Sequence, residues 1–238
     1  RKMLPEVFRK SGYQTFGVFN NVASLSPETG FISGYERFYR IGKREDWFKA
    51  TTEEKRGLKT PSIQKRLFKK LTSFLKEVSP DTEDRLFANT CLTAYKQADM
   101  GGAAAVAAFR RFLGERDPKQ LFFGFLTLAD SHHPYIAPEP FMTKMGVAQP
   151  SLDAILFNFR QVDYLAGKRQ LQAQDIDDLN RMFDACIGYT DALVGTIVEM
   201  LRQRNLFDET LIVFIADHGG NCGQKRNYLG SASFTYDC

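Results

Sequence analysis

No stretch of this 238-residue sequence approaches the roughly 20 apolar residues in a row that a membrane-spanning helix needs. Its longest apolar runs, residues 121–129 and 211–216, have the length of strands. Cysteine is scarce. Cys91, Cys186, Cys222 and Cys238 form no CxxC pair and no zinc spacing, so free or buried thiols are expected. Charge of one sign is also scarce: 32 Lys and Arg stand against 28 Asp and Glu, for a net +4. Much of that excess falls in residues 43–76, including Lys65, Arg66, Lys69 and Lys70. A nucleic-acid patch is one reading. Leu67, Phe68, Leu71 and Phe74 interleave at helical spacing, which favours a solvated helix face and no nucleic-acid partner. No leader peptide is visible. Arg1 precedes what reads as a helix in progress, and Cys238 follows Phe234-Thr235-Tyr236-Asp237 without punctuation. Both ends read as cut, so the missing leader excludes nothing.

What is present is an ordinary globular composition, 43% hydrophobic and 25% charged. Pro5 suits a first helical turn, Gly12 a helix end, and residues 13–19 a strand followed by Asn20 and Asn21. Residues 30–39 are aromatic and rich in turn formers. Residues 43–98 read as an insertion or connecting segment, helical in part, with Pro61 and Pro80 as breaks. Asp99 is a candidate N-cap for a helix over residues 103–113 that stops at Gly114. Residues 121–128 form a continuous apolar strand of the kind buried on both faces of a parallel sheet. In the last unit Phe183, Ile187, Val194, Val198 and Leu201 fall on one helix face, with Arg202 and Arg204 suited to its last turn. Residues 210–216 follow as a second buried strand. Alternating helix and strand predicts an α/β class, a mainly parallel sheet with helices on both faces.

The chemistry-bearing residues sit where such a sheet would use them. The chain holds three histidines, His132, His133 and His218, each just past the carboxyl end of an expected strand. Ligands bind at that edge. Asp217 and His218 can both reach one cation, and Gly219 and Gly220 let the backbone turn sharply behind them. In Asp130-Ser131-His132-His133-Pro134-Tyr135, a histidine can donate to an anionic oxygen or protonate a leaving group. The bland alternatives are an N-cap aspartate beside a satisfied histidine, and a surface loop with two exposed histidines.

One family joins these pieces. Residues 183–195, then Leu206-Phe207-Asp208-Glu209-Thr210-Leu211-Ile212-Val213, then Ala216-Asp217-His218-Gly219 resemble the sulfatase pattern Y-D-x-x-I-x-Y-x-D-x-x-I-G, a helix, L-x-D-x-T-L-I-x-x-x-S-D-H-G. Asp130, His132, Pro134, Tyr135 and Pro138 match its D-x-H-x-P-Y-x-x-P segment. Leu4-Pro5 through Thr15 resemble L-P-x-x-L-x-x-x-G-Y-x-T, and Gly34-Tyr35-Glu36-Arg37-Phe38 resembles G-F-D-x-F. Residues 43–98 match least.

The resemblance implies one catalytic domain over residues 1–238 with an alkaline-phosphatase-like α/β/α sandwich, here incomplete. It implies hydrolysis of a small-molecule or saccharide sulfate ester with one divalent cation, usually calcium. Magnesium or manganese stays open because an Asp/His pair is not the all-oxygen set calcium prefers. By position Asp217 and His218 look like two metal ligands, and His132 like the sulfate-contacting, catalytic histidine. His133 is a neighbouring substrate-binding candidate. A secreted, lysosomal or periplasmic-type compartment would fit the family.

The sequence also departs from the pattern. The family carries two consecutive aspartates near its N-terminus and a C/S-x-P/A-x-R nucleophile, matured to formylglycine; neither stands at the start of this sequence, and both are expected upstream of Arg1. The usual L-G-K/H-G is replaced by Leu229-Gly230-Ser231-Ala232, so Lys225 or Arg226 becomes the candidate for the positive charge on substrate. The alternatives are a phosphodiesterase or phosphoglycerol/phosphoethanolamine transferase of the same superfamily, or a non-catalytic relative. The chain alone is expected to show no turnover.

Overall fold

The computed structural model describes residues 2–20, 30–41, 80–96, 99–222 and 229–230. Its centre is a parallel sheet of β1 (Gln14–Phe19), β2 (Arg37–Arg40) and β3 (Phe122–Leu126), in the order β2-β1-β3. Gln14 pairs with Phe122 and Val18 with Leu126, while Phe16 pairs with Arg37. The helices are α1 (Leu4–Lys10), α2 (Pro80–Lys96), α3 (Gly102–Glu115), α4 (Glu139–Lys144), α5 (Leu152–Leu165) and α6 (Ala173–Arg202). A short antiparallel pair, β4 (Asn221–Cys222) and β5 (Leu229–Gly230), ends the described chain. The expected α/β class with a parallel sheet is what the chain adopts.

Period-two alternation along β1 sends Phe16 and Val18 to one face and Thr15, Gly17 and Phe19 to the other. Phe16 is fully buried, stacks on Phe112 at 4.3 Å and joins Phe109, Leu193 and Leu201 in a core beneath α3 and α6. A fully buried phenylalanine of this kind contributes about 2–3 kcal/mol. On the opposite face Phe8 of α1 stacks on Phe123 at 4.6 Å, and Phe19 meets Phe31, Tyr35, Phe38 and Phe125. Gly17 makes room for this aromatic layer: a β-carbon there would stand 2.7 Å from the Phe19 ring. Helix, sheet and helix thus form three layers. A second apolar core joins α2, α4, α5 and α6 around Ile136, Met142, Leu156 and Met182.

The helix ends follow their local sequence. Glu6 accepts the Met3 N–H at 2.8 Å, and Gly12 takes the left-handed conformation (φ +84°) just past α1. Asp99 caps α3 from two residues before its N-cap, accepting Gly101 N–H at 3.0 Å and Ala103 N–H at 2.6 Å. Gly114 does not end α3, which runs on to Glu115. Pro80 is the first described residue of α2, a place that a proline lacking an N–H can take.

Three expectations are corrected. Residues 210–216 are not a strand. Leu211, Val213, Phe214 and Ile215 are 69–89% exposed and Ile212 is 43% exposed. A buried strand needs neighbours for its N–H and C=O groups, and among the described residues none pairs with this run. For the same reason β3, which among the described residues has β1 on one side only, is half-buried rather than buried on both faces. The buried stripe of α6 runs through Leu179, Met182, Ala185, Cys186, Leu193, Met200 and Leu201. Ile187 is 45% exposed, and Phe183, Val194 and Val198 are half-buried. α6 packs on α3, α4 and α5 at different points along its 30 residues, so a single straight face is a poor guide to its burial. The basic residues 43–76 and the expected break at Pro61 lie outside the described residues.

Candidate functional site

The parallel strands deliver their carboxyl ends to one edge, and two buried polar residues bind the chain together there. Asn20, fully buried after β1, donates its N–H to Thr127 Oγ1 (2.9 Å), and its Oδ1 accepts the Ala129 N–H (3.1 Å). Asp130, 4% exposed, accepts the Met100 N–H at 2.9 Å. A β-carbon on Gly102 would run into the Asp130 carboxylate, so glycine is required where the loop and α3 meet. Asp130 Oδ2 and Asn20 Nδ2 are buried without a hydrogen-bond partner among the described residues. Burial, reinforced by the charge of Asp99, pushes the Asp130 carboxyl up to about 7. Desolvation of an acid with no cation beside it favours the neutral form.

The histidine loop follows directly. His132 is exposed, and its Nδ1 faces the His133 carbonyl oxygen at 2.9 Å. A carbonyl only accepts, so Nδ1 carries the proton there, and Nε2 is a donor only when the ring is cationic. His133 turns inward. Its ring lies 4.0 Å from the Tyr135 ring and 6.1 Å from that of Phe157, and its Nε2 is buried without a partner among the described residues. Burial, with the neighbouring His132, pulls His133 down to about 4, so it is neutral at physiological pH. Tyr135 is 3% exposed and packs on Phe183 of α6 at 4.9 Å. Its backbone N–H donates to Asn158 Oδ1 of α5 at 2.6 Å.

Asp217 and His218 lie in a bend after the exposed run. Asp217 Oδ1 accepts the His218 N–H at 3.0 Å, and His218 Nδ1 faces the Gly219 carbonyl at 2.9 Å. That bond assigns the Nδ1 proton and leaves the Nε2 lone pair outward, the arrangement in which a histidine serves a metal. His218 Nε2 and Asp217 Oδ2 stand 3.9 Å apart, with side chains 43% and 84% exposed. Ligand distances of about 2.0–2.6 Å allow one cation to touch both atoms. The pair therefore fits a divalent cation as two donors. No group of three metal-capable side chains occurs among the described residues. Gly220 brings the bend against the histidine loop: a β-carbon there would lie 3.2 Å from Tyr135 Oη and 3.6 Å from the Phe183 ring.

The structure thus brings the Asp217-His218 bend beside the His132–Tyr135 loop. Lys225 and Arg226 lie outside the described residues. Asn158 was not singled out from the sequence. Its signal was a carboxamide between Phe157 and Phe159 in an otherwise apolar helix turn, where a buried amide needs a specific partner.

Among solved structures no match to the chain was found. The sequence profile of the family described as Sulfatase matches residues 1–237, nearly the whole chain. With the parallel sheet and the strand-edge histidine loop in place, the chain belongs to the sulfatase family.

Proposed function

We propose that the protein is a sulfuric ester hydrolase whose Asp217 and His218 are two ligands of one divalent cation, calcium in the first instance. The observation that carries this reading is the approach of Gly220 to Tyr135, which sets the Asp217-His218 bend next to the loop bearing His132. Bound there, the cation would supply charge stabilisation for the ester oxygens. His132, exposed and with Nδ1 engaged, offers Nε2 to a sulfate oxygen when protonated. His133 contributes by packing, since its free nitrogen is buried. Lys225 is the proposed further positive charge on a small-molecule or saccharide sulfate.

A formylglycine nucleophile would have to come from a C/S-x-P/A-x-R segment that this sequence does not contain. The isolated chain is therefore expected not to hydrolyse a chromogenic aryl sulfate, and measurable turnover would overturn that expectation. A non-catalytic, anion-binding role is the second reading, favoured by Ser231-Ala232 where the family carries Lys or His. Sulfate binding itself is tested by following the His132 ring resonances during titration with inorganic sulfate. Perturbation of the His132 ring is expected. Resonances that do not move contradict the assignment of His132.

A further inference from the structure

The His132–Tyr135 loop carries the proposed sulfate contact, yet it is irregular backbone that no sheet or helix ladder holds. A side chain of α5 takes hold of its far end. Asn158 is 8% exposed in the middle of α5, and its Oδ1 accepts the Tyr135 N–H at 2.6 Å. Its Nδ2 donates to the Ala154 carbonyl at 2.9 Å, one turn back along the same helix. The second bond fixes the carboxamide, so the first is delivered in one orientation. The neighbouring residue of α5 adds an independent contact, because the Phe157 ring lies 6.1 Å from that of His133. α5 thus touches the loop twice, once through backbone and once through the ring of His133.

The platform under Asn158 is itself anchored. Arg160, two residues on, leaves helical geometry (φ −127°, ψ 35°) and reaches Asp84 of α2 at 2.5 Å. Asp84 is 5% exposed and also receives Arg169, which in turn lies 3.4 Å from Asp153. The Arg160 guanidinium covers the Phe87 ring at 4.9 Å. A buried carboxylate held by two guanidinium groups and a ring under one of them fixes α5 against α2 on both sides of Asn158.

We infer that Asn158 is a positioning residue of this site: through the Tyr135 N–H it sets the conformation of the loop that presents His132 and keeps His133 turned inward. The inference rests on the reading of His132 as a sulfate contact. Its test needs no ligand, so the two can fail separately.

The experiment follows the imidazole resonances of the whole chain, which has only three histidines to assign, together with exchange of the Tyr135 amide. Asn158→Leu removes the acceptor at similar volume. Asn158→Asp keeps an acceptor oxygen for the Tyr135 N–H and loses the donor to Ala154. Val162→Gly, at a position of the same helix that is 74% exposed, weakens α5 without touching Tyr135 or Ala154 and controls for general loosening. In the leucine variant the His133 midpoint rises from about 4 toward the ordinary 6.5, and the Tyr135 amide exchanges at least tenfold faster. The aspartate variant keeps the Tyr135 amide slower to exchange than the leucine variant does, and the helix control keeps the parent His133 midpoint. His133 and the Tyr135 amide unchanged in a folded leucine variant would overturn the inference. So would the same changes appearing in Val162→Gly. Should the leucine variant fail to fold, the parent chain and Asn158→Asp decide. A protected Tyr135 amide and an inward His133 in both uphold the inference, whereas a Tyr135 amide exchanging like open loop in the parent rejects it.

Discussion

Tyr135 Oη stands 3.2 Å from the place a β-carbon on Gly220 would occupy, with the Phe183 ring 3.6 Å from that same point. The glycine after Asp217-His218-Gly219 therefore does more than permit a turn. It lets the bend lie flat against the one aromatic side chain that belongs to the histidine loop, and any side chain there enters that contact.

Gly220→Val is expected to lift the bend from Tyr135. Two branched methyl groups beyond a contact already at 3.2 Å cannot be housed without movement. Affinity for calcium should fall roughly tenfold, the scale on which residues supporting metal ligands act. Thermal stability should barely change, because His218 and Asp217 are themselves exposed. Calorimetry with calcium checks this, and unchanged affinity would show that the packing on Tyr135 does not shape the proposed metal-binding bend.

Asp130→Asn should change the pH dependence of stability in a defined direction. Burial raises the folded-state carboxyl from 3.8 to about 7. The unfolded chain then ionises first as pH rises. The contribution of Asp130 is full below about 4 and is lost as pH rises through about 7, at about 1.4 kcal/mol per pH step in between. Asparagine keeps an acceptor for the Met100 N–H and cannot ionise. Urea denaturation should find the stability of the variant relative to the parent rising by about 4 kcal/mol between pH 4 and pH 8. Parallel curves for the two proteins would mean that Asp130 is charged in the folded state.

The run Leu211, Ile212, Val213, Phe214 and Ile215 presents five large apolar side chains to solvent. Contiguous apolar surface of this kind binds apolar dyes and promotes association. The chain should bind anilinonaphthalene sulfonate in its folded state and self-associate with concentration. Val213→Lys together with Ile215→Lys should weaken both while leaving the melting temperature within about 2 °C, since surface changes cost little. Dye binding that persists unchanged would place the apolar surface elsewhere.

How far the sequence could be read follows from where each residue finds its partner. β1 and β3 were legible because their apolar runs pair with each other, Gln14 to Phe122 through Val18 to Leu126. Asp99 was legible because a cap acts on N–H groups two and four residues ahead. The run at 211–216 misled for the converse reason: its composition is that of a buried strand, but burial requires a neighbour, and composition does not supply one. Ile187 misled because α6 changes partners along its length. At the candidate site, the proposed roles of His132, Asp217 and His218 rest on residue types and order that the sequence itself displays. The tie from Asn158 to the loop was not legible, since the Tyr135 N–H lies 23 residues away and a backbone N–H leaves no mark in side-chain sequence.

The central claim is that Asp217 and His218 share one cation. The most direct measurement is calorimetry of calcium binding to the chain and to Asp217→Ala. The account predicts weak binding to the parent chain that is lost in the variant. Equal binding by parent and variant would contradict it.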